Sequence, residues 1–314
     1  MTTDLEYYTQ PDKLTDLSDF KDFTDWLSPN PRVIFQVAQG LIVHDMWLSR
    51  YGIKDKPEQW RKVCTTSASD MLKQVTSLRK DDLSLAVPRS PEERIIACCR
   101  EFTVLATALF RAKGIPARAR CGFALYLAEQ GSYEDHWMCE YWNGKAWIGI
   151  DPQIDPFQQS TLQSYARTTQ NIDSDYKDML LTLDPKNLTE RHFVNAGVAW
   201  KMYREGKADP ERFGIGADPQ KFGLETLHGA WFIRGQLLRD FAALNKVEPV
   251  PFLVRLDFGQ DWKPWRLLSA KDEELSDADL KLLDAIAELC ARPDGHHDEI
   301  DKLFADNSEL QPLL

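Results

Sequence analysis

The 314 residues lack most of the features that mark a special class of protein. No apolar run approaches the ~18 residues of a membrane-spanning helix. The stretch after Met1 has neither the basic start nor the apolar segment of a secretion signal. The expectation is a cytoplasmic protein with no membrane partner. Cysteine is scarce: Cys64, Cys98, Cys99, Cys121, Cys139 and Cys290 show no CxxC spacing, and two of them are adjacent. That pattern argues against a disulfide framework and a zinc ribbon, and at least five are expected to be buried thiols. Basic charge is in deficit, with 38 Lys and Arg against 49 Asp and Glu and no basic stripe, so nucleic acid is not an expected partner. No internal repeat is visible, and Gly214-Ile-Gly216 has neither a following GK[ST] nor a preceding strand pattern, which removes it as a phosphate loop. His296 and His297 beside Asp298 have no further ligand cluster, and adjacent helical residues point ~100° apart, so a solvated turn is expected there and no metal. No cofactor is implied.

What remains is an ordinary globular composition, 43% hydrophobic, 11% aromatic and 28% charged, in a chain long enough for about two domains. The charge is uneven. Residues 271–314 hold 13 acidic and 4 basic residues, so most of the net −11 sits at that end, where it is read as a solvated helical face.

Three consecutive regions are expected. Residues 1–88 read as helical, with apolar residues at helical intervals around Phe20, Phe23, Trp26 and Leu27 and from Val33 to Ile42, and with a further helix over 57–78. His44 is taken as a core or interface histidine on that helical stretch. Residues 89–160 change pattern. An apolar helix from Cys99 to Lys113 stops at Gly114-Ile-Pro116, a strand runs from Arg118 to Tyr126, and two more strands flank Asn143-Gly144, a strong hairpin signal. Residues 161–314 read as mainly helical with an acidic end, a helical hairpin capped at Ser276 and broken at Pro293-Asp-Gly295, while the polar stretch 152–190 reads as a loop or linker. The fold class is α+β: a helix packed on an antiparallel sheet, with helical N- and C-terminal extensions.

The chemistry concentrates in the middle region. Cys99 stands where a helix begins, and there unpaired N–H groups and the positive dipole end favour a thiolate. A two-residue Asn143-Gly144 loop pairs positions whose numbers sum to 287, which sets His136 directly opposite Asp151 on one face of the hairpin. A carboxylate there can hold one imidazole nitrogen while the other faces outward, the orienting pair of a catalytic triad. The bland readings are a buried apolar thiol and a structural histidine–aspartate pair. Trp137 is a wall of the cleft or a core residue. Arg118 and Arg120 are binding groups for an anionic substrate or ordinary salt bridges. His192 and His228 remain open as pocket-lining residues.

Cys99-Arg-Glu-Phe-Thr-Val-Leu-Ala-Thr-Ala-Leu-Phe-Arg-Ala-Lys-Gly114-Ile-Pro-Ala-Arg118, followed by Asp135-His136-Trp137 and Trp147-Ile-Gly-Ile-Asp151-Pro, resembles the core of the transglutaminase-like superfamily over roughly residues 92–157. The resemblance implies a papain-like fold and a Cys-His-Asp triad. The family's cysteine lies fifteen positions before the glycine of Gly-Ile-Pro-Ala-Arg, which implies Cys99 over Cys98 as nucleophile, His136 as general base and acid, and Asp151 as its orienting group. One position departs from the family: many members have a glycine two residues before the nucleophile, where this chain has Ala97. Ser90-Pro91-Glu92-Glu93 is also a good helix start, so a break near Ala97 or Cys98 is needed if Cys99 is to begin its own helix.

The expected activity is acyl transfer at an amide or ester through a thioester, as a hydrolase (peptidase or amidase) acting on a small-molecule or peptide-like substrate. The alternatives are a transglutaminase or amide-forming acyltransferase and a non-catalytic binding scaffold with a protein partner. A redox role for adjacent Cys98 and Cys99 is disfavoured by the strained eight-membered ring it needs. Trp137 and Arg118 are the expected substrate-binding residues. The second oxyanion donor is sought among Gln59, Trp60, Gln74 and Arg94.

Overall fold

A computed structural model describes residues 3–54, 67–78, 84–249 and 265–311. Its helices in chain order are α1 (Asp4–Thr9), α2 (Lys21–Trp26), α3 (Pro31–Leu41), α4 (Ala68–Leu78), α5 (Cys99–Ala112), α6 (Pro156–Thr168), α7 (Ser174–Thr182), α8 (Ala196–Arg204), α9 (Ala230–Leu244), α10 (Trp265–Ser269), α11 (Asp277–Ala291) and α12 (His297–Asp306). The strands are β1 (Ile42–His44), β2 (Ile95–Ala97), β3 (Ala117–Ala124), β4 (Tyr133–Trp142), β5 (Trp147–Ile150), β6 (Phe193–Asn195) and β7 (Phe213–Gly214). The main sheet runs β5-β4-β3-β6, with β7 paired to β4, and β1 and β2 form a separate parallel pair. The β4–β5 and β3–β6 pairings are antiparallel, whereas the two-residue β7 joins β4 in parallel. None of the described helices is long and apolar enough to cross a membrane.

The chain divides into two compact units that do not follow its order. The first holds residues 1–119, 138–158 and 185–187, and the second holds 120–137, 159–184 and 188–314, so the chain changes unit within β3 and again within β4.

In the first unit, α5 is the central element. Cys98 is extended and serves as its N-cap, and Glu101 at the third helical position completes a capping box. Gly114, at φ +70°, ends it, with the Ile115 N–H returned to the Phe110 carbonyl at 3.0 Å. Residues 99 to 111 are all buried, so the helix is enclosed rather than amphipathic. Phe110 stacks on Tyr141 of β4 at 4.8 Å, and Cys139 and Ile150 join the same core as α3 and α4. Arg111 ties the helix to the N-terminal segment. Its guanidinium donates to Asp12 Oδ2 at 2.7 Å, Thr15 Oγ1 at 2.9 Å and the carbonyls of Tyr8 and Ala117.

The second unit is built on α8, α9 and α11, whose close packing is set at Gly197. A Cβ there would lie 2.5 Å from the Ala287 carbonyl of α11. Trp200 of α8 donates to Asp284 of α11 at 2.8 Å. At the acidic end α11, capped by Ser276, buries Leu283, Ile286, Ala287 and Cys290 on one face, and α12 follows it.

One expectation is corrected. The polar stretch 152–190 is not a linker, because α6 and α7 occupy most of it. Asp173 caps α7 with bonds to the N–H groups of Asp175 and Tyr176. The expected helix over 57–78 is described only from Ala68, and residues 55–66 lie outside the described part.

Candidate active site

The Ser90 capping box is present, but it closes only the short 3₁₀ turn Pro91–Glu93. The chain then extends as β2, pairs with β1, and only afterwards enters α5, so the break falls at Ala97–Cys98 and Cys99 is the first residue of the helix. Cys99 is 9% exposed. Beside it, Glu101 Oε2 accepts from the Cys98 backbone N–H at 3.2 Å and from Cys98 Sγ at 3.0 Å, while Arg100 reaches Glu101 Oε1 at 2.7 Å. Burial and the neighbouring Cys98 push the Glu101 carboxyl well above its usual range despite Arg100.

The hairpin register differs from the sequence arithmetic. Cys139 pairs with Ile150 and Trp142 with Trp147, so paired numbers sum to 289, not 287. The cause is local. Asn143 Oδ1 accepts from the N–H groups of Lys145 and Ala146, both at 2.9 Å, and Gly144 takes φ +96°. These contacts make a four-residue loop over 143–146 in place of a two-residue turn. His136 is therefore not directly opposite Asp151. A shift of two keeps every side chain on its expected face, because the pleat repeats every two residues. Asp151 lies just past the end of β5. It is fully buried, its N–H is bound to the Pro185 carbonyl at 2.8 Å, and its Oδ1 accepts from the Gln153 N–H at 2.8 Å. The segment after it is fastened by Gln39 Nε2 to the Ile154 carbonyl and by Tyr51 to Asp155, both at 2.7 Å.

Cys99 and Asp151 belong to the first unit, while His136 and Trp137 belong to the second. His136 is 1% exposed on β4, and its ring meets Tyr126 edge-on at 6.1 Å. Tyr126 also meets His192 at 6.5 Å. His192 takes the Thr189 N–H on Nδ1, and burial, with help from Arg191, lowers its basicity. Trp137 is fully buried under the Arg239 guanidinium, 5.2 Å from its ring centre, in a core position. Arg118 shows the salt-bridge reading: it is buried, bonds Glu140 at 2.6 Å and lies over the rings of Trp147 and Tyr8. Arg120 likewise pairs with Asp240. Among the oxyanion candidates, Arg94 is engaged by the Arg89 carbonyl and Asp155, Gln74 lies on α4, and Gln59 and Trp60 fall outside the described residues. His228 forms a bridge to Gly214.

Sequence reading missed the placement of His44. It ends β1 opposite Ala97, two residues before Cys99, and its ring lies parallel to Phe102 at 6.5 Å. Phe102 is three residues beyond Cys99, on the same helical face. Nδ1 is 2.9 Å from Asp45 Oδ1 and 3.2 Å from the Met46 N–H. The neutral ring accepts from Met46, and the cation donates to Asp45. Burial alone would lower its basicity, but Asp45, then Cys98 and Asp151, outweigh it and hold the imidazole more basic than usual. Cys98 and Asp151 are thus both within electrostatic reach of one buried histidine. The only signal for this in the sequence is the adjacent His-Asp pair, with nothing to mark its parallel partner. Among the described residues, no group of three or more His, Cys, Asp or Glu could hold a metal ion.

A helix opening on a cysteine and packed against an antiparallel hairpin defines an α+β core. Residues 61–152 match the family model of the transglutaminase-like superfamily, a span that includes Cys99, His136 and Asp151. That span, less than a third of the chain, is similar to the transglutaminase-like superfamily. A crystal structure described as a candidate cysteine protease from Cytophaga hutchinsonii shares 19% identity over 49% of this chain and 43% of its own, with a TM-score of 0.33. The chain thus spans less than half the length of that protein. No curated protein matches.

Proposed function

We propose that the protein is a cysteine-dependent acyl-transfer enzyme that hydrolyses an amide or ester bond, with Cys99 as nucleophile, His136 as general base and acid, and Asp151 as the group that orients His136. The observation that carries this reading is the interruption at Ala97–Cys98, which makes Cys99 the first residue of a buried helix inside the family-matched span. At that position the helix dipole favours the thiolate.

The Cys99 thiolate attacks the carbonyl carbon and forms a C–S bond. The Cys99 N–H and a second donor hold the oxyanion. Collapse breaks the bond to the leaving amine or alcohol, which takes its proton from the His136 imidazolium. Water then attacks the thioester, giving its proton to His136, and the acid and thiolate are released. Hydrolysis is favoured over transfer to an amine because water needs no second binding site.

Iodoacetamide labelling tests the assignment. Cys99 is expected to react selectively near neutral pH, and His136→Ala is expected to slow it. Labelling no faster than a free thiol would favour a binding scaffold instead. Mass spectrometry of products with and without an added amine separates hydrolysis from transfer, and an amine adduct as sole product would refute hydrolysis.

A further inference from the structure

Position 136 is flanked by two side chains that the second unit grips from one side. Asp135 and Trp137 alternate with His136 along β4, so both point to the face opposite the imidazole. Helix α9 covers that face. Gln236 Nε2 donates to Asp135 Oδ1, and Arg239 Nη1 lies 3.6 Å from Asp135 Oδ2. The Arg239 guanidinium also lies over the Trp137 ring at 5.2 Å. Gln236 and Arg239 are three apart on α9, on one face of the helix, and are bonded to each other through Arg239 Nη1 and Gln236 Oε1.

The grip extends to the neighbouring strand. Gln236 Nε2 donates to the Gly122 carbonyl at 3.3 Å, and Cys121 Sγ donates to Gln236 Oε1 at 3.1 Å. One turn on, Asp240 takes both Arg120 Nε at 3.0 Å and Nη2 at 2.8 Å. Gln236, Arg239, Asp240 and Trp137 are all shut off from solvent. Water cannot substitute for a lost partner there, and a missing bond must be met by movement of the strand.

Resting on the acyl-transfer reading above, we propose that Gln236 and Arg239 are positioning residues that aim His136: by holding both of its chain neighbours against α9, they turn the imidazole to the other face of β4. Neither residue touches the reacting atoms. A helix some 100 residues downstream of the candidate histidine, outside the family-matched span, thus becomes part of the machinery. The geometry has little slack, because small misplacements of a catalytic group are costly, with about 1 Å enough to lose on the order of a hundredfold in rate.

The test uses the full-length protein and iodoacetamide, following the Cys99 labelling rate from about pH 5 to pH 9. A thiolate paired with an imidazolium keeps labelling at pH 6, where a free thiol of pKa about 8.5 is almost wholly protonated and about a hundredfold slower. Arg239→Met and Gln236→Leu are expected to lose that acidic limb by about 10- to 100-fold and to approach the profile of His136→Ala. Arg234→Met is the control. Arg234 is equally buried on the same helix but bonds Asp272 and the carbonyls of Leu268 and Ala270. It is expected to lower the melting temperature and leave the profile unchanged. The proposal is overturned if Arg239→Met and Gln236→Leu keep the acidic limb, or if Arg234→Met loses it equally. Should Arg239→Met fail to fold, Asp135→Asn, which removes the charge facing Arg239, is read by the same limb: a shift supports the proposal, and an unchanged limb overturns it. If His136→Ala itself keeps the limb, the acyl-transfer assignment has failed and the positioning role falls with it.

Discussion

The Arg120–Asp240 pair is the most demanding contact in the second unit, and its removal can be worked through in advance. Both side chains are at most 2% exposed, and the fork is bidentate. Asp240 Oδ1 also accepts the Cys121 N–H at 2.8 Å, and Arg120 Nη2 donates to the Cys290 carbonyl at 2.6 Å. Deleting one partner strands a charge in a dry interior. Asp240→Leu or Arg120→Met alone is therefore expected to destabilise by about 3–5 kcal/mol, the range for breaking buried pairs. Removing both charges strands neither. The double variant is expected to cost no more than the larger single change, leaving about 1 kcal/mol for each unmet backbone partner at Cys121 and Cys290. The coupling energy would then be on the order of 3 kcal/mol. Urea denaturation of all four proteins, followed by tryptophan fluorescence, closes the cycle. Additive single costs, or an Asp240→Leu cost under about 1 kcal/mol, would refute the claim that the two charges compensate one another in a solvent-free site.

His44 is held more basic in the folded protein than the ~6.5 expected when unfolded, so its contribution to stability is full below about pH 6.5 and is lost as pH rises through its folded value. The stability difference between wild type and His44→Gln is accordingly expected to shrink from about pH 6 to pH 8, and a difference that grows with pH would reverse the assignment. Gly122→Ala would put a Cβ 2.3 Å from the Val194 carbonyl and 2.8 Å from the Asn195 Cα. Prying β3 from β6 in this way is expected to cost about 1–3 kcal/mol in the same urea assay. An unchanged midpoint would mean that the strands yield freely.

Much of the core was legible because its signals are local. The helix from Cys99 ends where a glycine and a proline require it, and α11 follows a serine cap and a four-residue apolar spacing. The hairpin's existence and faces were also readable, since Asn143-Gly144 is a turn and the pleat fixes alternation. Its register was not, because the Asn143 side chain competes for two backbone N–H groups and lengthens the loop. Residues 152–190 were misread for a different reason. Gln-, Ser- and Thr-rich helices carry little apolar periodicity, and their order comes from caps and from bonds such as Gln159 Nε2 to the Leu183 carbonyl at 2.7 Å.

The amino-acid order alone determined where a cysteine begins a helix, which strands flank a turn, and which face of β4 each side chain takes. Those outcomes depend on capping, steric limits at glycine and proline, and the two-residue repeat of a strand, all of which act over a few residues. Only the tertiary structure decided that His44 stands beside Ala97, that Arg118 is taken by Glu140, and that Gln236 and Arg239 of α9 are buried beneath the histidine's strand. A buried arginine or glutamine looks like a surface residue until its partner is known. These partners lie about 20 to 120 residues away along the chain, where short-range pattern carries no information.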